Sequence, residues 1–491
     1  MTGIIHTSAQ GIYMDTTLSR DMILQDRRAQ IMLFAVIAIG TFLDWLDGTI
    51  VTVALPEIAA SFSMSASDVS WIVTVYYLTM AGLILVFGKI SDSGHIRGVI
   101  IWGFTIFTSG SLMCALSWSY EMLLVFRAIQ GLGSAMLASS CLMLVVKFLP
   151  PGMIAFGMSL SVLGGSLGSA LGPVIGGILT EMLSWHWIFL INVPIGIISI
   201  ILSIRVVPSL ELDAERRFDY VGSCFLFIFL ATALFVVESS STHGISSMSL
   251  IILAVSVVFL VLFYLREKRI DYPVIRLDVF RNHGLVIVAV VYMLVNAYYM
   301  GLMYILPFFF TVELGMNTMG SGMMMLVQAV TMLVLCLFIG KAVDRRGWKL
   351  FTLAAVACMV ISALFFIVSD AETGIFMPVI GLVVMGLVFA LGGSSLTASA
   401  IDQVPEEYHG FTSAFMSFII YLGAAIGTTL YSAMFNIGSG VPGVSIENLL
   451  PVDFMEGYVF VMIVTMVLGF ISIALMVWVC QRFKGNSAKN A

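Results

Sequence analysis

Long apolar runs, broken by short polar connections, recur from Gln30 almost to the end of the chain. A helix that spans the hydrocarbon core of a bilayer needs about 20 predominantly apolar residues. Fourteen runs meet that need. They begin near Gln30, Ser70, Val99, Met122, Ile154, His186, Asp219, Met248, Leu285, Ser321, Leu350, Gly374, Phe411 and Gly457. Backbone in hydrocarbon must satisfy its own polar groups, so each run is predicted as one spanning helix. The connections carry turn formers such as Pro150-Pro151-Gly152 and Ser240-Ser241-Thr242-His243-Gly244.

Composition agrees. The chain is 60% hydrophobic and 10% charged, against about 25% charged in soluble proteins. The fold class is therefore an all-α integral membrane protein, with the bilayer as its surroundings and no nucleic-acid partner. Net charge is −6, but its distribution says more. Of the 22 Lys and Arg residues, 21 fall in the two tails or in alternate connections, and the seven connections on the other side contain none. Positive loops stay in the cytosol, which places both termini there and makes the chain a multi-pass protein of the cytoplasmic (inner) membrane. The first thirty residues hold Asp15, Arg20, Asp21, Asp26, Arg27 and Arg28, unlike a cleaved signal peptide.

The halves repeat. Gly88-Lys89-Ile90-Ser91-Asp92, after the second run, is echoed by Gly340-Lys341-Ala342-Val343-Asp344 after the tenth. Runs 1–6 thus match runs 9–14. Residues 30–205 and 285–481 are expected as two six-helix bundles. Residues 206–284 form a linker with two additional helices, and 1–29 and 482–491 are cytosolic tails. Parallel halves of this kind hold their site at the shared interface near the midplane.

The fifth run carries two bare stripes. Gly164, Gly168, Gly172 and Gly176 form one, and Gly165, Ser169, Pro173 and Gly177 form another beside it. Small residues let helices approach closely in lipid, and the first stripe is expected against a helix of the other half. Pro173 removes one hydrogen bond and invites a kink. Gly423-x-x-x-Gly427 in run 13 is a weaker copy.

Several motifs now resemble a known family. The order G-x-x-x-G-P-x-x-G-G at Gly168, Gly172, Pro173, Gly176 and Gly177 resembles the antiporter motif of the major facilitator superfamily. Leu46-Asp47-Gly48-Thr49-Ile50-Val51-Thr52-Val53-Ala54-Leu55-Pro56 resembles the L-D-x-T-I-V-N-V-A-L-P signature of its fourteen-helix drug:proton antiporters, with Thr52 for Asn. Trp185-His186-Trp187-Ile188-Phe189-Leu190-Ile191-Asn192-Val193-Pro194 is similar to their W-R-W-I-F-x-I-N-V-P, with His186 for Arg. Arg127-Ala128-Ile129-Gln130-Gly131-Leu132-Gly133 is similar to R-x-x-Q-G-x-G. The resemblance implies a major facilitator fold and multidrug efflux, with Arg127 in the proton-coupling machinery. The loop motif G-x-x-x-D-x-x-G-x-[RK] is complete at Gly340, Asp344, Gly347 and Lys349. At Gly88, Asp92 and Arg97 it has Gly94 one position early. Its Asp would latch a helix end to a neighbour.

Asp44 and Asp47 lie one turn apart in the first run and share a face. Acids within a span mark functional sites. Asp47 is expected to carry the proton, and Asp44 to help it or touch substrate. Arg127 is the lone cation inside a run, at a cost of about 2.5–3.5 kcal/mol on insertion scales. It must face a cavity or a carboxylate, as a coupling residue or as a structural ion pair. Tyr76, Tyr77, Phe104, Gln130, Tyr298, Tyr299 and Tyr304 are candidates to line the substrate cavity.

The six cysteines form no C-x-x-C pair, and the six histidines lack metal-ligand spacing. No phosphate-binding Gly-rich loop occurs, so no cofactor is expected and the proton gradient is the energy source. The leading function is export of lipophilic compounds, cationic ones included, in exchange for protons, by one chain acting as a monomer. A proton-coupled symporter or a uniporter of one small solute is the alternative. A channel would more often be a symmetric oligomer, and a membrane enzyme would need a clustered catalytic set, which the sequence lacks.

Overall fold

A computed structural model describes residues 27–149, 151–208, 219–270, 273–275, 279–405, 408–444 and 449–482. Most of both tails and of the 206–216 connection lies outside the described residues. Among the described residues, fourteen helices are long and apolar enough to cross a membrane, and no strand occurs. They are α1 (Arg27–Phe62), α2 (Ala66–Ile90), α3 (Ile96–Ala115), α4 (Tyr120–Phe148), α5 (Pro151–Met182) and α6 (Trp187–Val206) in the first half. The insert holds α7 (Tyr220–His243) and α8 (Ser247–Glu267). The second half holds α9 (His283–Val312), α10 (Thr318–Arg346), α11 (Lys349–Ile367), α12 (Phe376–Asp402), α13 (His409–Ser439) and α14 (Pro451–Arg482).

Several helices outrun their apolar stretches because polar residues cap them. Ser65 accepts from the Asp68 N–H while the Asp68 carboxylate accepts from the Ser65 N–H, a reciprocal cap on α2. Asp219 starts α7 by accepting from Gly222 N–H, and Asn282 starts α9 by accepting from Gly284 and Leu285 N–H.

Helix pairing repeats between the halves. α1 packs on α5, α2 and α3 on α4, and α3 on α6; α9 packs on α13, α10 and α11 on α12, and α11 on α14. The halves meet where α5 lies on α10, α13 on α2, and α1 on α9. This is a major facilitator fold of two six-helix bundles plus two helices. α7 packs on α8 and lies along both α2 and α13. α8 leaves Leu250, Ile251, Leu253, Val257 and Val258 exposed, a surface that suits lipid.

The α5 stripes divide their work differently from expectation. A Cβ on Gly164 would lie 2.6 Å from the Ala38 carbonyl oxygen, and one on Gly176 2.5 Å from that of Ile50. Gly168 faces the Phe42 carbonyl, and Gly172 faces Thr49 Oγ1. The first stripe thus seats α1 within its own half, not a helix of the other half. The reason is the α1 backbone itself, which follows the stripe for three turns. Contact with the other half falls to the neighbouring stripe. A Cβ on Gly177 would lie 2.7 Å from the Thr318 carbonyl oxygen, and Gly322 of α10 sits against the Pro173 carbonyl. α5 continues as one helix through Pro173. Gly423 repeats the first arrangement, 2.8 Å in the same measure from the Met293 carbonyl oxygen of α9.

The displaced glycine of the first loop motif also finds its cause. Residues Ser91–His95 form a π-helical turn, and Gly94 takes a φ of 104°. In the second half Gly347 takes a φ of 79° after α10. Both positions need a residue without a Cβ, and the wider first turn brings that need one residue sooner.

Candidate functional site

Asp47 lies in the middle of α1, fully buried within the first half. Arg127 of α4 meets it, with Nη1 2.5 Å from Oδ2. Gln130 Nε2 and Asn192 Nδ2 both donate to its Oδ1, at 2.7 and 2.8 Å. Arg127 donates further to Gln130 Oε1 at 2.7 Å and to the Ile72 carbonyl at 3.0 Å. Its guanidinium lies over the Tyr76 ring, 4.1 Å from the centroid. Five helices, α1, α2, α3, α4 and α6, thus surround one ion pair, with Ser111 of α3 accepting from Gln130 at 2.7 Å. Such bonds offset the desolvation of a buried pair, and they satisfy most of its polar atoms, leaving Arg127 Nη2 and Asn192 Oδ1 buried without a hydrogen-bond partner among the described residues.

Asp44, one turn earlier, points to the boundary between the halves. Ser134 donates to its Oδ1 at 2.6 Å. Tyr421 of α13 donates to its Oδ2 at 2.9 Å. Tyr76 connects the two acids: its hydroxyl bonds Ser134 at 2.8 Å, while its ring face holds Arg127.

Asp44 lines a narrow cavity between the halves with Trp45, Tyr77, Asn296, Tyr299, Met300, Phe389, Ile420, Tyr421 and Ala424. Tyr77 stacks on Tyr421 with centroids 6.4 Å apart, and Phe389 packs on Tyr299 at 4.6 Å and Trp45 at 6.2 Å. In this state the space is too small for a drug-sized molecule. Tyr299 closes one side through Ser169 of α5 at 3.1 Å.

The other candidates separate. Tyr77 and Tyr299 line this cavity. Gln130 does not; the Asp47 carboxylate draws it into the ion-pair network. Tyr298 bonds Ser362 of α11 at 2.5 Å and belongs to the second half's interior. It neighbours Tyr299 in sequence, and the 100° turn per helical residue sends the two apart. Phe104 packs on Gly40 in the first half's interior. Tyr304 donates to the Ala66 carbonyl at 2.6 Å, joining α9 to the start of α2.

In the loop motifs, Arg97 donates to the Ile204 carbonyl at 2.9 Å, tying α3 to the end of α6. Lys349 lies 5.7 Å from the Trp348 ring centroid, and Trp348 Nε1 donates to Asp402 at 3.0 Å. A Cβ on Gly340 would meet nothing, and one on Gly88 only Ser139 at 3.8 Å. The side chains of Asp92 and Asp344 lie outside the described residues.

Sequence reasoning missed Tyr421, Ser134 and Ser111, which carry no charge and stand in unremarkable apolar runs. Asn192 was within reach, since it belongs to the quoted W-H-W-I-F-L-I-N-V-P stretch. Glu238 of α7 was also legible as an acid near the end of a run. It is 4% exposed. No group of His, Cys, Asp and Glu among the described residues is arranged to hold a metal ion.

Residues 37–428 match the profile of the Major Facilitator Superfamily. The chain is 31% identical over 403 residues to the riboflavin transporter RibZ of Clostridioides difficile strain 630, covering 82% of this chain and 87% of RibZ. It is 29% identical over 415 residues to MdtD of Escherichia coli strain 55989, whose name assigns it to multidrug resistance; 84% of this chain and 88% of MdtD are covered. A bacterial homologue of the human lysosomal transporter Spinster, solved in an inward-facing conformation, superposes with a TM-score of 0.66 at 14% identity. It covers 93% of this chain and 98% of its own. That likeness shows the fold.

Proposed function

The chain belongs to the major facilitator superfamily, and from that premise we propose that it exports lipophilic compounds, cationic ones included, across the cytoplasmic membrane in exchange for protons. Its work is translocation rather than catalysis, driven by the proton gradient without a cofactor, by a single chain with both termini in the cytosol. The observation that carries the reading is the buried Asp47–Arg127 pair, joined through Tyr76 and Ser134 to an acid at the cavity wall.

A proton on Asp47 cancels one charge of the pair and leaves Arg127 buried without compensation. Removing one partner of such a pair costs about 3–5 kcal/mol. The protonated protein therefore favours another packing, in which the guanidinium finds water or other acceptors. A preference of this size shifts an equilibrium between two states by a factor of hundreds or more. Asp44 supplies the second lever. A cation at the cavity wall competes with the Tyr421 hydroxyl for Asp44, and the disturbance reaches Arg127 through Ser134 and Tyr76. Proton and substrate then act on one network from opposite ends, as exchange requires.

The cytosolic-termini orientation puts the 63–65 turn outside. At that end Ser67 bonds Asn436 at 2.5 Å, Thr74 bonds Thr429 at 3.3 Å, and Tyr304 bonds Ala66, all between the halves. The structure is accordingly read as closed toward the outside.

A second reading is a transporter of one specific aromatic solute, a symporter or uniporter. The aromatic cavity wall and the 31% identity to a riboflavin transporter favour it. Everted vesicles given a pH gradient and a compound panel decide between the two. Export with proton release for several unrelated lipophilic cations supports drug antiport. Movement of one flat solute without counter-movement of protons overturns it.

A further inference from the structure

Glu238 lies in the outer third of α7, in the insert that separates the two halves, and its side chain is turned inward. α7 lies in the groove where α2 of the first half meets α13 of the second. Phe227 packs on Gly82 and Phe235 on Trp71, so α7 follows α2 closely. Glu238 faces the opposite side of that groove. Ser432 of α13 donates to its Oε1 at 2.7 Å.

The groups around it are those that close the outer end. Asp68 of α2, Tyr304 of α9 and Tyr120 of α4 are its electrostatic neighbours. α13 contributes Ser432. Asp68 belongs to the α2 cap, and its carbonyl accepts from the Tyr120 hydroxyl. Tyr304 bonds the Ala66 carbonyl two residues before Asp68, and Asn436, one turn from Ser432, bonds Ser67. A carboxyl on the insert therefore bonds α13 within the closure, from a helix that also packs against α2.

We propose that Glu238 is a second proton-binding site, whose occupancy holds the outer end shut. With a proton the carboxyl is neutral, sits beside Asp68 without repulsion and accepts from Ser432. Without the proton its charge is buried in the seam between α2 and α13, which costs it its hydration, and the negative charge of Asp68 adds repulsion. Opening the seam to water relieves both the repulsion and the desolvation. The proton comes from outside water and returns to it when the seam opens, so it is not transported. The site gives α7 a task that two bundles alone do not explain. The inference rests on the alternating-access reading above, but not on Asp47 carrying a proton.

The test reads the outer end directly. Dyes are placed through non-canonical amino acids at Leu116 and Leu450, exposed residues at that end in different halves. The full chain in nanodiscs is followed by single-molecule energy transfer from pH 5.5 to 8.5. The open-to-closed ratio should rise with pH, by up to about tenfold per unit, the limit for one proton. Glu238→Gln should remain closed with the rise of the ratio with pH lost, while Glu121→Gln, at an exposed acid of the same end, keeps that rise. If Glu238→Gln does not fold, Ser432→Ala decides, because removing that donor must move the midpoint. A wild-type slope in Glu238→Gln, an unmoved midpoint in Ser432→Ala, or loss of the slope in Glu121→Gln overturns the proposal. Failure of the vesicle assay leaves this distance measurement intact, so the two readings fail separately.

Discussion

The Tyr421 hydroxyl donates to Asp44 Oδ2 at 2.9 Å, from α13 of one half to α1 of the other. The bond joins the two bundles at the acid that lines the cavity, and its ring stacks on Tyr77. Separation of α13 from α1 must break it. A hydrogen bond to a charged group contributes about 1.5–3 kcal/mol. Tyr421→Phe keeps the ring and deletes the bond. The open-to-closed ratio should rise roughly tenfold, since tenfold corresponds to about 1.4 kcal/mol. Energy transfer between the halves measures it, and an unchanged ratio would mean that the bond is incidental.

Asp47→Asn should abolish transport driven by a pH gradient while downhill exchange of substrate continues. Asp44→Asn should instead weaken binding of cations, with a rise in KM. Substrate-induced proton release from purified protein separates the two variants. Undiminished release from Asp47→Asn would move coupling elsewhere, with Asp44 next in line.

Arg127→Leu leaves Asp47 as a buried charge among Gln130 and Asn192 and should destabilise the protein by about 3–5 kcal/mol. Adding Asp47→Leu should recover most of that loss, because no charge remains to be stranded. Thermal melting in detergent reads stability and the vesicle assay reads function. The double variant should be stable and inactive. Recovered transport would show the pair to be structural.

The two α5 stripes should respond differently to bulk. Gly172→Leu drives a side chain into Thr49 and the α1 backbone, and overpacking of this kind typically costs about 1–3 kcal/mol. It should lower the melting temperature. Gly177→Leu meets Thr318 and Gly322 of the other half. It should block movement between the halves with a smaller loss of stability. Equal effects on both measurements would remove the distinction.

Much of this protein was legible in the sequence. Fourteen apolar runs correspond to fourteen helices among the described residues, because backbone in a bilayer has few alternatives and run length alone locates each span. The repeat of the loop motifs announced two halves. Asp47 and Arg127 were marked as charges inside spans, and a buried cation needs a carboxylate. What remained hidden was which helix each polar side chain would face. The Gly164–Gly176 stripe announces a close approach in any setting, yet only the fold shows that the approaching helix is α1. Tyr298 and Tyr299 are chemically identical neighbours, and only the rotation of α9 against α5 and α11 sends one to the cavity and the other to Ser362. Tyr421 meets Asp44 across 377 positions of chain. That pairing depends on how the bundles dock, through side-chain packing between residues far apart in the chain, and no local pattern encodes it.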